Sequence, residues 1–292
     1  MMKNKLTSLL FLITFSIASA QDFPISTEYF EEGVPQDTIR NPILEEISGI
    51  AFSKLHPNLI YAQTDSGGEP AVYLLDSLGN ELGKIMLKGV KNRDWEDIAV
   101  AEGPDGKCYI YVAEIGDNAA VHPSVFIYKI PEPLSIREIS EVKPEIMELE
   151  YPGGARDAET LLVDKQDGKI YILSKRDKKN NLYSVNWDKF GKDKAIELDK
   201  EIELPITSSV GGDISFQADQ ILIKNYLAIY YWKRASGQSI VEALEETPIS
   251  LPYVPEPQGE SIGFSPNGRS FFTLSEKRFN INPVLYRYSS KH

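Results

Sequence analysis

The sequence predicts an all-β chain folded as a single propeller of four-stranded blades. Three observations carry this reading. Hydrophobic periodicity is short and alternating throughout, in runs rich in Ile, Val, Tyr and Phe bounded by Gly, Pro, Asp and Asn. The runs come in sets that recur about every 40 to 60 residues, the spacing of propeller blades. An acidic residue or serine opens most sets at one equivalent position. Only residues 239–246 approach a helical period.

The first set comprises residues 48–53, 59–65, 71–76 and 82–87, and the second comprises 96–100, 108–114, 124–130 and 145–149. A third opens at Glu159 and continues through 169–175 and 181–185, a fourth and less regular one surrounds 211–215, and a fifth runs through 260–268, 270–276 and 284–288. The fifth lacks a fourth strand, and a short blade would leave an exposed sheet edge. Segment 21–31, with Phe23, Tyr29 and Phe30, is expected to supply it, giving five blades. Six stays open, because the 63 residues from Glu96 to Glu159 exceed the other intervals.

Residues 1–20 read as a secretory signal peptide: Lys3 and Lys5, an apolar stretch over 6–17, then Ala18-Ser19-Ala20. Cleavage after Ala20 would leave residues 21–292 as one propeller domain, secreted or periplasmic. The apolar stretch is shorter than the roughly 18 residues a membrane span needs, and no other segment approaches that length. The formal charge is −12. Loss of the two leader lysines takes it to about −14, which argues against nucleic acid and anionic membranes and favours a cation as companion. Cys108 is the single cysteine, so no intramolecular disulfide forms, and it reads as a buried strand residue. A monomer is expected.

Aligning the sets places Ser48, Glu96, Glu159 and Glu260 at the same point of the first strand, with Asp213 joining them once a gap is allowed. First strands line a propeller's channel, so these side chains would converge on the axis. Converging carboxylates repel unless they protonate or find a cation. Calcium, with about six to eight oxygen ligands, suits carboxylates and a hydroxyl better than zinc does. The three histidines, His56, His122 and His292, have no metal-ligand spacing. The competing reading is that these acids cap backbone amides or pair with Arg93 or Arg156.

A second tier lies 16 to 18 residues further on, at the ends of the second strands: Asp65, Glu114 and Glu276, with Lys175 in the third set. Together with Asp94, Asp97, Asp117 and Asp157 it would form a negative entrance containing Arg93, Lys175 and Lys224. Such a mixture suits calcium-dependent hydrolysis of a small anionic ester. Asp65, Glu114 or Glu276 would move the proton, and Arg93 with Lys175 would hold the substrate. Two alternatives stay open: a propeller whose calcium is structural and whose loops bind a protein or glycan, and a glycan-cleaving enzyme using the paired acids. Trp95, Trp187 and Trp232 are expected to fill the cores between blades rather than to stack on sugars.

Residues 92–99 (Asn-Arg-Asp-Trp-Glu-Asp-Ile-Ala), 114–118 (Glu-Ile-Gly-Asp-Asn), 156–164 (Arg-Asp-Ala-Glu-Thr-Leu-Leu-Val-Asp) and 258–264 (Gln-Gly-Glu-Ser-Ile-Gly-Phe) resemble segments of secreted bacterial propeller proteins, over most of the chain after residue 20. The once-per-blade Glu or Ser is also similar to that of calcium-activated nucleotidases (apyrases), and more loosely to β-propeller phytases and paraoxonase-like lactonases. The nucleotidase resemblance implies five blades and one axial calcium held by Ser48, Glu96, Glu159, Asp213 and Glu260. The nucleotidases' substrate-contacting segments have no counterpart here, and the phytases' larger acidic cluster is mirrored only in part, so the resemblance does not carry an activity with it.

Overall fold

The computed structural model describes residues 23–292. The expected leader and its cleavage point lie outside them. The described chain forms five sheets around one axis, a five-bladed propeller. Blade 1 is built from Ile47–Phe52, Ile60–Thr64, Ala71–Leu75 and Glu81–Leu87, and blade 2 from Trp95–Glu102, Cys108–Glu114, Val125–Pro131 and Glu145–Glu150. Blade 3 contains Ala158–Asp164, Lys169–Ser174, Asn181–Asn186 and Asp199–Glu203, and blade 4 contains Ser209–Ile214, Gln220–Asn225, Ile229–Lys233 and Ile249–Leu251. Blade 5 joins Gly259–Phe264, Ser270–Ser275 and Val284–Ser289 to Val34–Thr38 from the start of the described chain.

Each first strand packs against the first strands of the blades on either side, so the five close into a ring about the channel. Apolar side chains pointing out of each sheet meet those of its neighbour. Five buried clusters result, one at each blade junction. Trp95 lies between blades 1 and 2, Trp232 between blades 3 and 4, and Trp187 packs against the junction of blades 2 and 3, as their bulk predicts. Every fully buried Leu, Ile or Phe in these seams contributes about 1.5–3 kcal/mol, so the seams hold the ring shut. Residues 239–246 do hold the one α-helix among the described residues, Ile240–Glu245, started by a capping box of Ser239 and Glu242.

Three details differ from the sequence reading. The strand that completes blade 5 is Val34–Thr38, just after the segment expected to do so. Within 21–31 the described residues make single bridges, Ile25 to Ser250 and Phe30 to Ser290. Phe30 is spent on the seam between blades 4 and 5, edge-on to Phe271 at 4.9 Å and to Tyr231 at 5.7 Å. The long second interval holds no sixth blade. It contains Ile139–Val142, which runs back to pair in parallel with the outer strand of blade 1. Gly83 permits that crossing, since a Cβ there would collide with the backbone oxygens of Arg137 and Glu138. Cys108 is half-buried at the start of its strand rather than enclosed, and burial still raises its thiol pKa.

The first strand of every blade breaks register with the second at the same place. The pairings skip from Ile47 to Gly49, Trp95 to Asp97, Ala158 to Thr160, Ser209 to Gly211 and Gly259 to Ser261. One residue per blade is left unpaired in a β-bulge, a device that re-aims a side chain. Those residues are Ser48, Glu96, Glu159, Val210 and Glu260.

Candidate functional site

The bulges therefore gather Glu96, Glu159 and Glu260 as the sequence repeat implies, but the fifth position belongs to Val210. Asp213 lies three residues further along its strand, against Phe52, Val100 and Phe264 toward the other end of the channel. There it accepts hydrogen bonds from the amides of Ile214 (2.8 Å) and Phe264 (2.7 Å), and burial raises its pKa to about 7. It caps backbone and is not part of the ring. Asp97 does the same, accepting from Ile98, Leu161 and Gly212 and so tying three blades together. Ser48 is also committed: its hydroxyl donates to the Trp95 carbonyl at 3.0 Å and accepts from Gln63 at 2.7 Å.

Two carboxylates absent from the expected ring take these places. Asp94 and Asp157 stand two residues before Glu96 and Glu159, in loops entering the strands. Carboxylate oxygens of Asp65, Asp94 and Glu96 lie within 4.8 Å of one another, and so do those of Glu96, Asp157 and Glu159. Glu96 belongs to both groups. Gly116 makes the first possible, because a Cβ there would overlap Glu96 Oε1 and the Asp94 carboxyl. The signal was present in the sequence as Arg93-Asp-x-Glu96 and Arg156-Asp-x-Glu159, the same tetrad in adjacent blades.

The charges are compensated unevenly. Lys175 is ion-paired with Glu159 and donates to the Tyr226 hydroxyl at 3.0 Å, which in turn donates to Glu260 at 2.7 Å. Asp157 pairs with Arg176 at 2.5 Å and accepts from the Asp117 amide at 2.9 Å. Asp94 and Glu96 receive no side-chain hydrogen bond or ion pair among the described residues, and Glu159 keeps one buried oxygen without a hydrogen-bond partner.

The titration behaviour follows. Burial, then repulsion from Glu159, Asp65 and Asp94, raises the Glu96 pKa well above the ordinary value. Burial raises Glu159 as well, against the opposing pull of Lys175. Asp94 is pushed up to about 6 by burial and by Asp65 and Asp157. For Lys175 burial works downward, but Glu159 outweighs it and the ammonium pKa is raised.

In the second tier the strand register places Asp65, Ile115, Lys175, Tyr226 and Glu276 at matching positions, one residue beyond the last pair of each hairpin. Glu114 is one residue short and faces into its blade, as a one-residue step in a strand requires. It accepts from Trp95 Nε1 at 3.2 Å and Tyr128 at 3.1 Å and pairs with Arg93 at 3.6 Å. Arg93 lies over the Phe126 ring and donates to the Ser124 carbonyl, so both residues brace blade 2. Glu276 is at the mouth, where burial and then Glu260 and Asp65 push its pKa up to about 8. It therefore carries a proton near neutrality. Lys224, also named in the sequence, is buried beside Glu256 and donates to the Gly259 carbonyl; burial lowers its pKa to about 8.

Two groups of three carboxylates sharing Glu96, with no His or Cys among them, fit a hard divalent cation. Gly116→Ala should crowd the first group, a strain of about 1–3 kcal/mol. The expected result is cation binding weakened about tenfold or more, measured by calorimetric titration, with the fold retained by circular dichroism.

The architecture defines a β-propeller. Among solved structures the chain is similar to the Pan2 WD40 domain of Neurospora crassa (TM-score 0.46, 10% identity, 93% of this chain and 98% of that one). It is also similar to a chain of a nidogen/laminin complex (0.47, 11%, 80% and 73%) and to U3-55K (0.42, 12%, 83% and 67%). Comparison with protein families and with curated proteins gives no match.

Proposed function

We propose that the chain is an exported calcium-binding propeller whose channel mouth hydrolyses phosphoesters or related esters and lactones. The leader-like residues 1–20 motivate the export. The observation that carries the cation site is Glu96: a buried carboxylate without a partner among the described residues, flanked by Asp65 and Asp94 on one side and Asp157 and Glu159 on the other. Those five residues would hold the ion, with Glu260 kept in reserve by Tyr226. A bound calcium would polarise an ester oxygen or lower the pKa of water. Glu276, protonated near neutrality, is placed to give a proton to a leaving group. Lys175, anchored on Glu159, presents positive charge to an anionic substrate.

The test is titration of metal-stripped protein with Ca²⁺, Mg²⁺ and Zn²⁺, followed by assay of nucleotides, aryl phosphates, aryl esters and lactones with calcium and with chelator. Preferential Ca²⁺ binding and chelator-sensitive turnover are expected. Failure to bind any of the three ions would sink the cation site. One observation favours a second reading, a structural calcium in a propeller that binds a protein or glycan: Lys175 and Arg93 are both engaged by the chain's own carboxylates. In that case chelation lowers the melting temperature while no substrate turns over.

A further inference from the structure

The turns at the other end of the blades carry a second concave site. Residues 53–58 and 76–80 of blade 1 and 265–270 of blade 5 turn at the end opposite the carboxylate mouth, and between them lies a cavity of about 510 Å³. That is within the range of small-ligand pockets, roughly 300–1,000 Å³. Its apolar wall includes Phe52 and Phe272, packed with ring centroids 4.8 Å apart, and the exposed Leu78. Its charged residues are Lys54, Arg269 and Arg287, with no Asp or Glu in the lining. In a chain with 43 acidic and 31 basic residues this wall reverses the prevailing sign.

The three cations are not equally available. Lys54 is paired with Glu102 at 3.0 Å. Arg287 spends only its Nε, on Ser270 Oγ at 3.1 Å. The guanidinium of Arg269 has neither hydrogen bond nor ion pair among the described residues. Two guanidinium groups thus have donors to spare beside an aromatic surface. Their planar forks match carboxylate and phosphate oxygens, and guanidinium is desolvated more readily than ammonium. The chain's net negative field would repel anions elsewhere, so local reversal of charge selects them here.

We infer that this inter-blade cavity binds a small organic anion, a carboxylate or phosphate carried on a flat apolar body, with Arg269 and Arg287 on the anionic group and the Phe52–Phe272 pair against the body. Gln36, from the strand that closes blade 5, also lines the cavity, so an occupant would bridge the closure of the ring. The site is independent of the carboxylate mouth.

Benzoate and phenylphosphonate, titrated into the purified chain in chelator and followed by ligand-observed NMR, provide the test. Saturable binding is expected, at least tenfold weaker in the double variant Arg269→Ala/Arg287→Ala and unchanged in Glu96→Gln. Both arginines are exposed, so the double variant should keep its melting temperature, which is measured alongside. Benzyl alcohol, the neutral counterpart, should not compete. Equal affinity in the double variant, loss of binding in Glu96→Gln, competition by benzyl alcohol, or no saturable binding at all would overturn the inference.

Discussion

Glu96→Gln should abolish tight cation binding and at the same time stabilise the metal-free protein. The substitution keeps the shape of the side chain and removes the charge shared by both carboxylate groups. Losing a central ligand charge should cost at least about 100-fold in calcium affinity, or about 2.8 kcal/mol at 1.4 kcal/mol per tenfold. Without the ion, the same charge is only a liability, buried and repelled by Glu159, Asp65 and Asp94. The melting temperature in chelator should therefore rise above wild type, while the increment produced by calcium shrinks. A merely damaged fold would lower both. Glu260→Gln is the internal comparison. Its charge is already met by Tyr226 and, through it, Lys175, so its effect on affinity should be several-fold at most. Ser48→Ala and Asp213→Asn should leave affinity unaltered, because both side chains are consumed by partners away from the cluster. Calorimetric titration of the four variants orders them; equal losses in all would show that no local cation site exists.

What the sequence made legible and what it hid have a common cause. Strand alternation and repeat spacing are local, so four of the five blades and the positions of Glu96, Glu159 and Glu260 could be aligned directly. Bulge register is not local. In blade 4 the eye is drawn to Asp213, the nearest acid, yet the bulge falls at Val210. In the second tier Glu114 looks like a partner of Asp65 and Glu276, but one residue of offset turns it toward Trp95 and Tyr128. Asp94 and Asp157 precede their strands, and no periodicity aims a loop side chain. The sequence places both in the negative entrance, and the repeated Arg-Asp-x-Glu spacing is the signal that could have set them beside Glu96 and Glu159. The extra strand Ile139–Val142 was invisible for the same reason, since its partner is the edge of another blade.

The carboxylate mouth should also write its charge into the pH dependence of stability. Asp94, with a pKa near 6, and Glu276, near 8, both titrate above their usual carboxylate values in the folded chain. A group whose pKa is raised by folding favours the native state below its unfolded pKa, near 4, and loses that contribution as pH climbs through the folded value. Burial leads both shifts, with repulsion from neighbouring acids behind it, so glutamates 96 and 159 reinforce the trend. In chelator the melting temperature should therefore fall from pH 5 upward, most steeply from about 5 to 6, where both groups contribute, and more gently to about 8, where Glu276 still does. Calcium reverses the logic, because deprotonated carboxylates are the ligands and binding releases protons. The stabilisation it gives should be small at pH 5 and greatest at pH 8 to 9, so the melting profile with calcium is nearly flat. Thermal melts across this range, with calcium and with chelator, read both curves together. Parallel curves would mean that the ion, if bound, sits away from Asp94, Glu96 and Glu276; a chelator curve that rises with pH would mean that these carboxylates are ionised without penalty.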